Sequence, residues 1–185
     1  MCEEPLEEVI ASVDFPVYGL TEEVFGLRYS SRCWTPRSNG RWCSRYRFIT
    51  LDYHSERYIP FLHEQASKKP TLSVRSFKGL DSPLVGIKSV SYVHWEEGPD
   101  IPVQDSSRIG VFSSSLTIDG EHFIGNFLYY PAPTFHSMYM FNNGHMYLQG
   151  QARGPHLDEL IQILQNLRVL NGKAVERARE QSDES

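Results

Sequence analysis

The sequence has few cysteines and no long apolar run, and each shortage excludes a class of protein. Its three cysteines are an odd number, which excludes a full disulfide framework. Cys33 and Cys43 can pair in an oxidising compartment, whereas in the cytosol they stay reduced. No apolar stretch approaches the roughly 18 residues that cross a bilayer, so we predict no membrane span.

The start of the chain also lacks the pattern of a signal peptide. Residues 1–5 read Met-Cys-Glu-Glu-Pro, without the basic residues and the apolar run of a secretory leader. We therefore expect a cytoplasmic protein, or an extracytoplasmic one if a leader was removed.

The short motifs that mark the best-known enzymes are missing as well. The chain contains no GxxxxGKS/T, no GxGxxG after a strand, and no HExxH, GxSxG or CxxC, which excludes the best-marked NTPases, dinucleotide enzymes, zincins and α/β-hydrolases. Its cysteines and histidines lie too far apart to form the close ligand pairs of a zinc site, so we predict no metal and no other cofactor. No catalytic residue is identified. An enzyme is disfavoured, although active-site residues that converge only in space leave no such motif.

The charge of the chain is negative overall but unevenly distributed. A net charge of −5 argues against nucleic acid and anionic membranes as partners. Residues 1–23 contain only acidic charges, whereas residues 28–47 contain six arginines and no acid. Arginines interleaved with aromatic residues on a strand can stack on bases and neutralise phosphates, so anion or nucleic-acid binding is kept as an alternative. The residues of this alternative site are Arg41, Trp42, Arg45 and Arg47.

The spacing of apolar residues predicts an α+β fold. Residues 6–13 carry apolar side chains three and four positions apart, with glutamates between them, which is typical of a short amphipathic helix. Residues 27–51 and most of the chain after residue 71 are rich in aromatic and β-branched residues, which favour strands. A further helix is predicted over residues 55–69. We expect a curved antiparallel sheet of about six to eight strands, packed by the short N-terminal helix and a C-terminal amphipathic helix.

A turn signal at Asp119-Gly120 predicts the first hairpin of this sheet. It joins residues 111–118 to residues 121–129 through a two-residue loop. The cross-strand pairs expected on its core face are Leu116 with Phe123 and Phe112 with Phe127.

A turn signal at Asn143-Gly144 predicts a second hairpin, which joins residues 138–142 to residues 145–149. One of its faces is apolar and is expected in the core: Tyr139, Phe141, Met146 and Leu148. The opposite face mixes apolar and polar side chains, which is typical of a surface that lines a groove. The ligand-binding residues predicted there are Met138, Met140, His145 and Tyr147.

Residues 157–168 show the clearest helical spacing in the chain, with leucines or isoleucines three and four positions apart. Asn171-Gly172 follows, as is usual just past the end of a helix. We predict a single α+β domain over residues 1–172. The remaining residues, 173–185, are highly charged and form a frayed or disordered tail.

Two short patches carry a resemblance to a known family. Phe15-Pro16-Val17-Tyr18 follows a short helix, and residues 146–150 lead from a run of hairpins into the helix at 157–168. This order resembles the extracytoplasmic sensor domains of bacterial anti-sigma factors and, more distantly, the periplasmic lipoprotein carriers. The resemblance implies a curved antiparallel sheet wrapped around helices. It carries over no functional residue, and the missing leader or anchor departs from those families.

These patterns lead us to expect a non-enzymatic binding or sensor module that uses the groove, with an apolar small molecule or a protein as its partner. One alternative is a small hydrolase or isomerase with a site in the 94–105 loop. The residues that would carry its acid–base chemistry are His94, Glu96, Glu97 and Asp100. Another alternative is an adaptor that binds a partner through its acidic helix at 3–13 or its charged tail.

Overall fold

The computed structural model describes residues 5–34, 37–38, 41–42, 47–55, 71–78, 110–131, 135–173 and 175–176; for residues 31–34, 37, 38, 41, 42 and 47 it describes the backbone. The helices and strands of these ranges are α1 (Leu6–Ala11), β1 (Tyr18–Gly19), β2 (Leu27–Trp34), β3 (Arg37–Ser38), β4 (Arg41–Trp42), β5 (Arg47–Ser55), β6 (Thr71–Lys78), β7 (Gly110–Ile118), β8 (Glu121–Tyr130), β9 (His136–Asn142), β10 (Tyr147–Arg153), α2 (Leu157–Gln165) and β11 (Arg168–Val169).

The strands form one large antiparallel sheet. Seven of them lie in the order β2-β5-β6-β10-β9-β8-β7, and each neighbouring pair is antiparallel. Strands β7 to β10 form a meander of consecutive strands, and β10 then pairs with β6, the last strand of the β2-β5-β6 half. Separate two-stranded pairs are formed by β1 with β11 and by β3 with β4. The predicted α+β class and the expected number of strands are confirmed.

The two faces of the large sheet differ because successive strand residues point to opposite sides. We call the face that carries the buried apolar side chains and packs against α1 and α2 the inner face. The opposite face is called the outer face. Buried apolar and aromatic residues of the inner face include Ile49, Leu51, Tyr53, Leu72, Val74, Phe112, Leu116, Phe123, Phe127, Tyr129, Tyr139, Phe141 and Leu148. The side chains that α2 adds to this core are Leu157, Leu160, Ile163 and Leu164.

The first hairpin forms as predicted. Asp119 and Gly120 both have positive φ, at 48° and 81°, which matches the twist that a two-residue hairpin loop needs. The expected core pairs Leu116–Phe123 and Phe112–Phe127 are present.

The second hairpin differs from the prediction in its loop. Strand β9 ends at Asn142 and β10 begins at Tyr147, and these two residues pair, so the loop has four residues, and His145 lies in the loop and not in a strand. The cause is the side chain of Asn143, whose Oδ1 accepts the N–H groups of His145 (3.0 Å) and Met146 (2.8 Å). Because the loop lengthens by an even number of residues, the strand residues keep the faces that were predicted for them.

Two glycines make room for aromatic rings on the inner face. Gly125 of β8 pairs with Phe141, and Gly150 of β10 pairs with Tyr139. A Cβ at either glycine would collide with the backbone of a neighbouring strand. Only glycine therefore allows the strands to approach this closely beside the two rings.

Both helices end earlier than their apolar spacing predicts. Helix α1 ends at Ala11, where the Ser12 Oγ donates to the Val9 carbonyl oxygen (2.7 Å) and caps the last turn. Helix α2 ends at Gln165, three residues before the predicted end at 168. Leu167 remains fully buried although it lies beyond the helix, so its apolar character reflects the core and not the length of the helix.

The two ends of the described chain are fastened together by Asn171, which is 6% exposed. Its Nδ2 donates to the carbonyl oxygens of Ile10 (2.9 Å) and Phe15 (3.1 Å), and its Oδ1 accepts from the N–H of Val17 (2.9 Å). The Leu170 N–H donates to the Val17 carbonyl oxygen (2.9 Å). Asn171 therefore joins residues 10–17 to the C-terminal segment. The end of the C-terminal helix, which the sequence predicts just before Asn171, lies further upstream.

The N-terminal segment is also tied to the large sheet by side-chain hydroxyls. The Tyr18 N–H donates to the Ser76 Oγ (2.8 Å), and the Leu20 N–H donates to the Tyr53 Oη (3.0 Å). Burial raises the pKa of Tyr53 to about 12, so its hydroxyl stays protonated at neutral pH. These bonds fix β1 against β5 and β6.

The packing continues slightly past the predicted domain boundary at 172. Val175 is 6% exposed, and its N–H donates to the Asn171 carbonyl oxygen (3.2 Å). Of the helix predicted over 55–69, Ser55 is instead the last residue of β5. Residues 56–69, the rest of the predicted tail and Cys43 lie outside the described residues. Among the described helices, none combines the length and the apolar character that crossing a bilayer requires.

Replacing Asn171 by alanine tests the role of this side chain. We expect Asn171→Ala to lower the free energy of unfolding by about 2–4 kcal/mol, because it leaves one buried N–H and two carbonyl oxygens without their partner. Urea denaturation followed by circular dichroism measures this change. Asn166→Ala is the matched control, since its exposed amide makes one bond to the Gln162 carbonyl oxygen and should contribute about 1 kcal/mol or less. Equal losses for the two variants would contradict this role.

Candidate functional site

The structure brings together three of the four residues predicted to line a groove. Met138 and Met140 on β9 and Tyr147 on β10 lie half-buried on the outer face. Leu128 of β8, also half-buried, pairs with Met138 on the same face. We call these four residues the methionine stripe. His145 does not join them, because it lies exposed in the β9–β10 loop.

Beside the methionine stripe, the outer face carries an arginine held by aromatic rings. The Arg75 Nε donates to the Thr50 Oγ1 (2.9 Å), and its guanidinium carbon lies 4.6 Å from the centre of the Phe48 ring. The Phe48 and Phe77 rings stack 5.9 Å apart and nearly parallel. We call these four residues the Arg75 cluster. They meet because the β5–β6 register pairs Thr50 with Arg75 and Phe48 with Phe77.

The Arg75 guanidinium is a partly desolvated charge. Burial lowers its pKa, and the nearby negative charge of Asp52 only partly opposes this effect. Arg75 makes no ion pair with any residue that the structure describes. A partly desolvated positive charge without a carboxylate partner among the described residues is unfavourable, so an anion placed here would be stabilised.

Gln149 connects the Arg75 cluster to the methionine stripe. In the cross-strand row it pairs with Arg75 on one side and with Met140 on the other. Its side chain is half-buried and makes no hydrogen bond to the described part of the chain. Its amide is therefore available as both donor and acceptor between a cation and an apolar surface.

The outer face also contains a polar hollow of about 420 Å³ next to these residues. Its walls come from β2, β5, β6 and β10, and it adjoins the methionine stripe because Gln151 pairs with Met138. The polar side chains that line it are Ser30, Asp52, His54, Thr71, Ser73 and Gln151.

A larger hollow of about 730 Å³ lies at one end of the sheet, and it is the one that His145 lines. Several of its charged groups bind one another or the backbone. The Lys78 Nζ lies 3.1 Å from the Asp14 Oδ2, and the Asp119 Oδ2 accepts the Val169 N–H (2.6 Å). These contacts hold the chain ends and a hairpin turn, so we interpret this hollow as structural.

At the far end of the stripe, His136 is half-buried and stacks on Tyr130 with the ring centres 6.3 Å apart. Its Nε2 is buried and has no hydrogen-bond partner among the described residues. Burial lowers the pKa of His136, and the positive charge of Arg153 lowers it further, while a hydrogen bond with Gln151 acts in the opposite direction. The imidazole therefore favours its neutral form.

For the other predicted site residues, the structure describes the backbone only, or they lie outside the described ranges. Arg41 and Trp42 form β4 and Arg47 begins β5, but only their backbone is described. The residues outside the described ranges are Arg45, His94, Glu96, Glu97 and Asp100. The anion or nucleic-acid site and the acid–base site thus stay predictions. Within the described ranges, no group of three His, Cys, Asp or Glu side chains could hold a metal ion.

The sequence analysis missed the Arg75 cluster. It placed Gln149 on the mixed face of the second hairpin but not among the predicted ligand-binding residues. From Thr71 to Ser76 strand β6 alternates, with Leu72, Val74 and Ser76 buried, and this alternation places Arg75 on the non-core face. Its contact with Phe48 depends on the register between β5 and β6, which no local pattern gives.

Comparisons of the chain with protein-family models, curated proteins and solved structures gave no match. The resemblance to the sensor domains of anti-sigma factors therefore stays a prediction.

The environment of His136 predicts a pH dependence of stability. Because its folded-state pKa is depressed below the ordinary value of 6.5, its contribution is present above that pH and is lost as the pH falls through the folded value. The free energy of unfolding, measured in urea between pH 7.5 and pH 5 (roughly the range in which histidine titrates), should fall less steeply for His136→Gln than for the parent chain. The exposed His122 gives a control, since His122→Gln should keep the parental slope. Identical slopes for the parent and His136→Gln would refute the assignment.

Proposed function

We propose that the protein is a non-enzymatic binding module that holds an apolar small molecule on the outer face of its large sheet. The observation that carries this proposal is the methionine stripe. Both helices and the two ends of the described chain pack on the inner face. Met138 and Met140 lie on the outer face, where no described helix packs against them. Methionine thioethers are flexible and polarisable, which suits them to apolar ligands of varied shape.

The polar surroundings of the methionine stripe support a small molecule as the ligand. The methionine stripe is apolar and has polar groups at its border, where it adjoins the polar hollow, and this combination is usual for small-molecule sites. Such sites combine apolar walls with a few polar groups that orient the ligand, and Gln149 and Gln151 can take that role here. A protein partner would need a contact of about 800 Å² on each side, far wider than four side chains provide.

A binding assay with Nile red, a neutral and apolar fluorescent dye, tests this proposal. The parent chain should bind the dye with a rise in fluorescence. The double variant Met138→Gln with Met140→Gln should bind it about tenfold more weakly or worse, because each substitution removes about 1 kcal/mol of apolar contact. Glutamine is close to methionine in size, so the fold is retained, which a thermal melt verifies.

Thr117→Gln is the matched control for the dye assay. Thr117 is exposed on the outer face of β7, away from the methionine stripe. This variant should bind the dye as the parent does. Parental affinity in the double methionine variant, or no dye binding by the parent, would overturn the proposed function.

A further inference from the structure

We propose that Arg75 recognises the anionic group of the ligand, and that the ligand class is an amphipathic carboxylate: an apolar chain that ends in one carboxylate group. This inference rests on the proposed function, because it takes the outer face as the binding surface. Beyond that function, it specifies the anionic group at the polar end of the ligand and the direction in which the ligand crosses the strands.

The first step is that the Arg75 guanidinium is held in place. The Thr50 hydroxyl accepts its Nε–H, and its guanidinium carbon lies over the Phe48 ring, 4.6 Å from the ring centre. An arginine side chain has five N–H donors, and the bond to Thr50 uses one of them. The remaining donors lie at the edges of a guanidinium whose face is already covered, so they can take a ligand with little further loss of side-chain freedom.

The second step concerns the charge that this arrangement favours. The guanidinium is partly desolvated and has no ion pair among the described residues. A carboxylate matches the planar fork of an arginine with two parallel hydrogen bonds, which a single point charge does not provide. A bound carboxylate would therefore stabilise this cation, which has no ion pair among the described residues, and would be oriented by it.

The third step gives the direction of the ligand. Arg75, Gln149 and Met140 follow one another in a single cross-strand row, so the backbone of Arg75 is two strand spacings, or about 10 Å, from that of Met140. A chain that leaves Arg75 along this row passes over the unbonded amide of Gln149 and reaches the methionine stripe. The apolar part thus meets thioethers, and the carboxylate meets the cation.

The position of Asp52 agrees with this direction. Thr50 separates Phe48 from Asp52 along β5, and the guanidinium lies over Phe48, on the side away from the acid. A carboxylate bound at the Phe48 side would therefore lie further from the like charge of Asp52 than one bound at the Thr50 side. The same acid disfavours an anion in the polar hollow, which Asp52 lines.

Three probes that share a twelve-carbon chain test the inference: dodecanoate, dodecan-1-ol and dodecyltrimethylammonium. Binding to the full chain is measured by competition with Nile red, below the micelle concentrations of the two charged probes and the solubility limit of dodecan-1-ol. Dodecanoate should bind at least about tenfold more tightly than dodecan-1-ol, and the ammonium probe should bind most weakly, because only dodecanoate places a negative charge at Arg75.

Variants of Arg75 separate its charge from its shape. Arg75→Gln should weaken dodecanoate about tenfold or more and leave dodecan-1-ol within about twofold of the parent. Arg75→Lys keeps the charge but loses the planar guanidinium that makes two parallel hydrogen bonds. Its affinity for dodecanoate should therefore fall between those of the parent and of Arg75→Gln. Arg28→Gln is the matched control, since Arg28 is exposed on β2 and paired with Glu23, and it should leave all three affinities unchanged.

The outcomes distinguish this inference from the proposed function. Equal affinities of the parent for dodecanoate and dodecan-1-ol, or parental dodecanoate binding by Arg75→Gln, would overturn the role of Arg75 while the dye assay still supports an apolar site. Failure of the parent to bind Nile red and all three probes would overturn both proposals. Loss of Nile red binding in Arg75→Gln would also count against the inference, because that dye carries no anionic group for Arg75 to recognise.

Discussion

Three hydrogen bonds of one buried amide hold the two ends of the described chain together. Asn171 satisfies two carbonyl oxygens and one N–H of residues 10–17, groups whose burial without partners would be unfavourable. Helix α1, strand β1 and the segment after α2 therefore take their positions together. Because all of them lie with the inner face, the outer face keeps a set of side chains that the described core does not use, and these form the candidate site.

Local sequence patterns predict the hairpins and the faces of their strands well, because both depend on residues that are close in the sequence. The Asp119-Gly120 turn is one such case, since its two positive φ angles suit that dipeptide. The Asn143-Gly144 signal locates a turn but not its length, because the side chain of Asn143 binds two backbone N–H groups and widens the loop. The ends of α1 and α2 also depend on tertiary contacts, which a helical spacing does not contain.

Only part of the candidate site can be predicted from the sequence, because some of its residues are brought together by contacts between distant strands. The alternation along β9 identifies Met138 and Met140 as a non-core pair, and the structure places them so. A two-residue loop would place His145 in the strand beside them. The observed loop has four residues and contains His145, which therefore lies outside the candidate site. Arg75 meets Phe48 and Gln149 through pairings of β6 with β5 and β10, strands that are far apart in the chain. Registers of this kind follow from packing and not from a local pattern.

The pairing of β6 with β10 has a consequence for the order in which the protein folds. The β7–β10 meander is built from strands that are neighbours in the sequence, whereas the β6–β10 pair closes a long loop between residues 78 and 147. Closing such a loop costs chain entropy before its contacts can compensate. We therefore expect the C-terminal meander to collapse first and to serve as the template for β6 and β5. In that sequence of events the Arg75–Gln149 row is completed late.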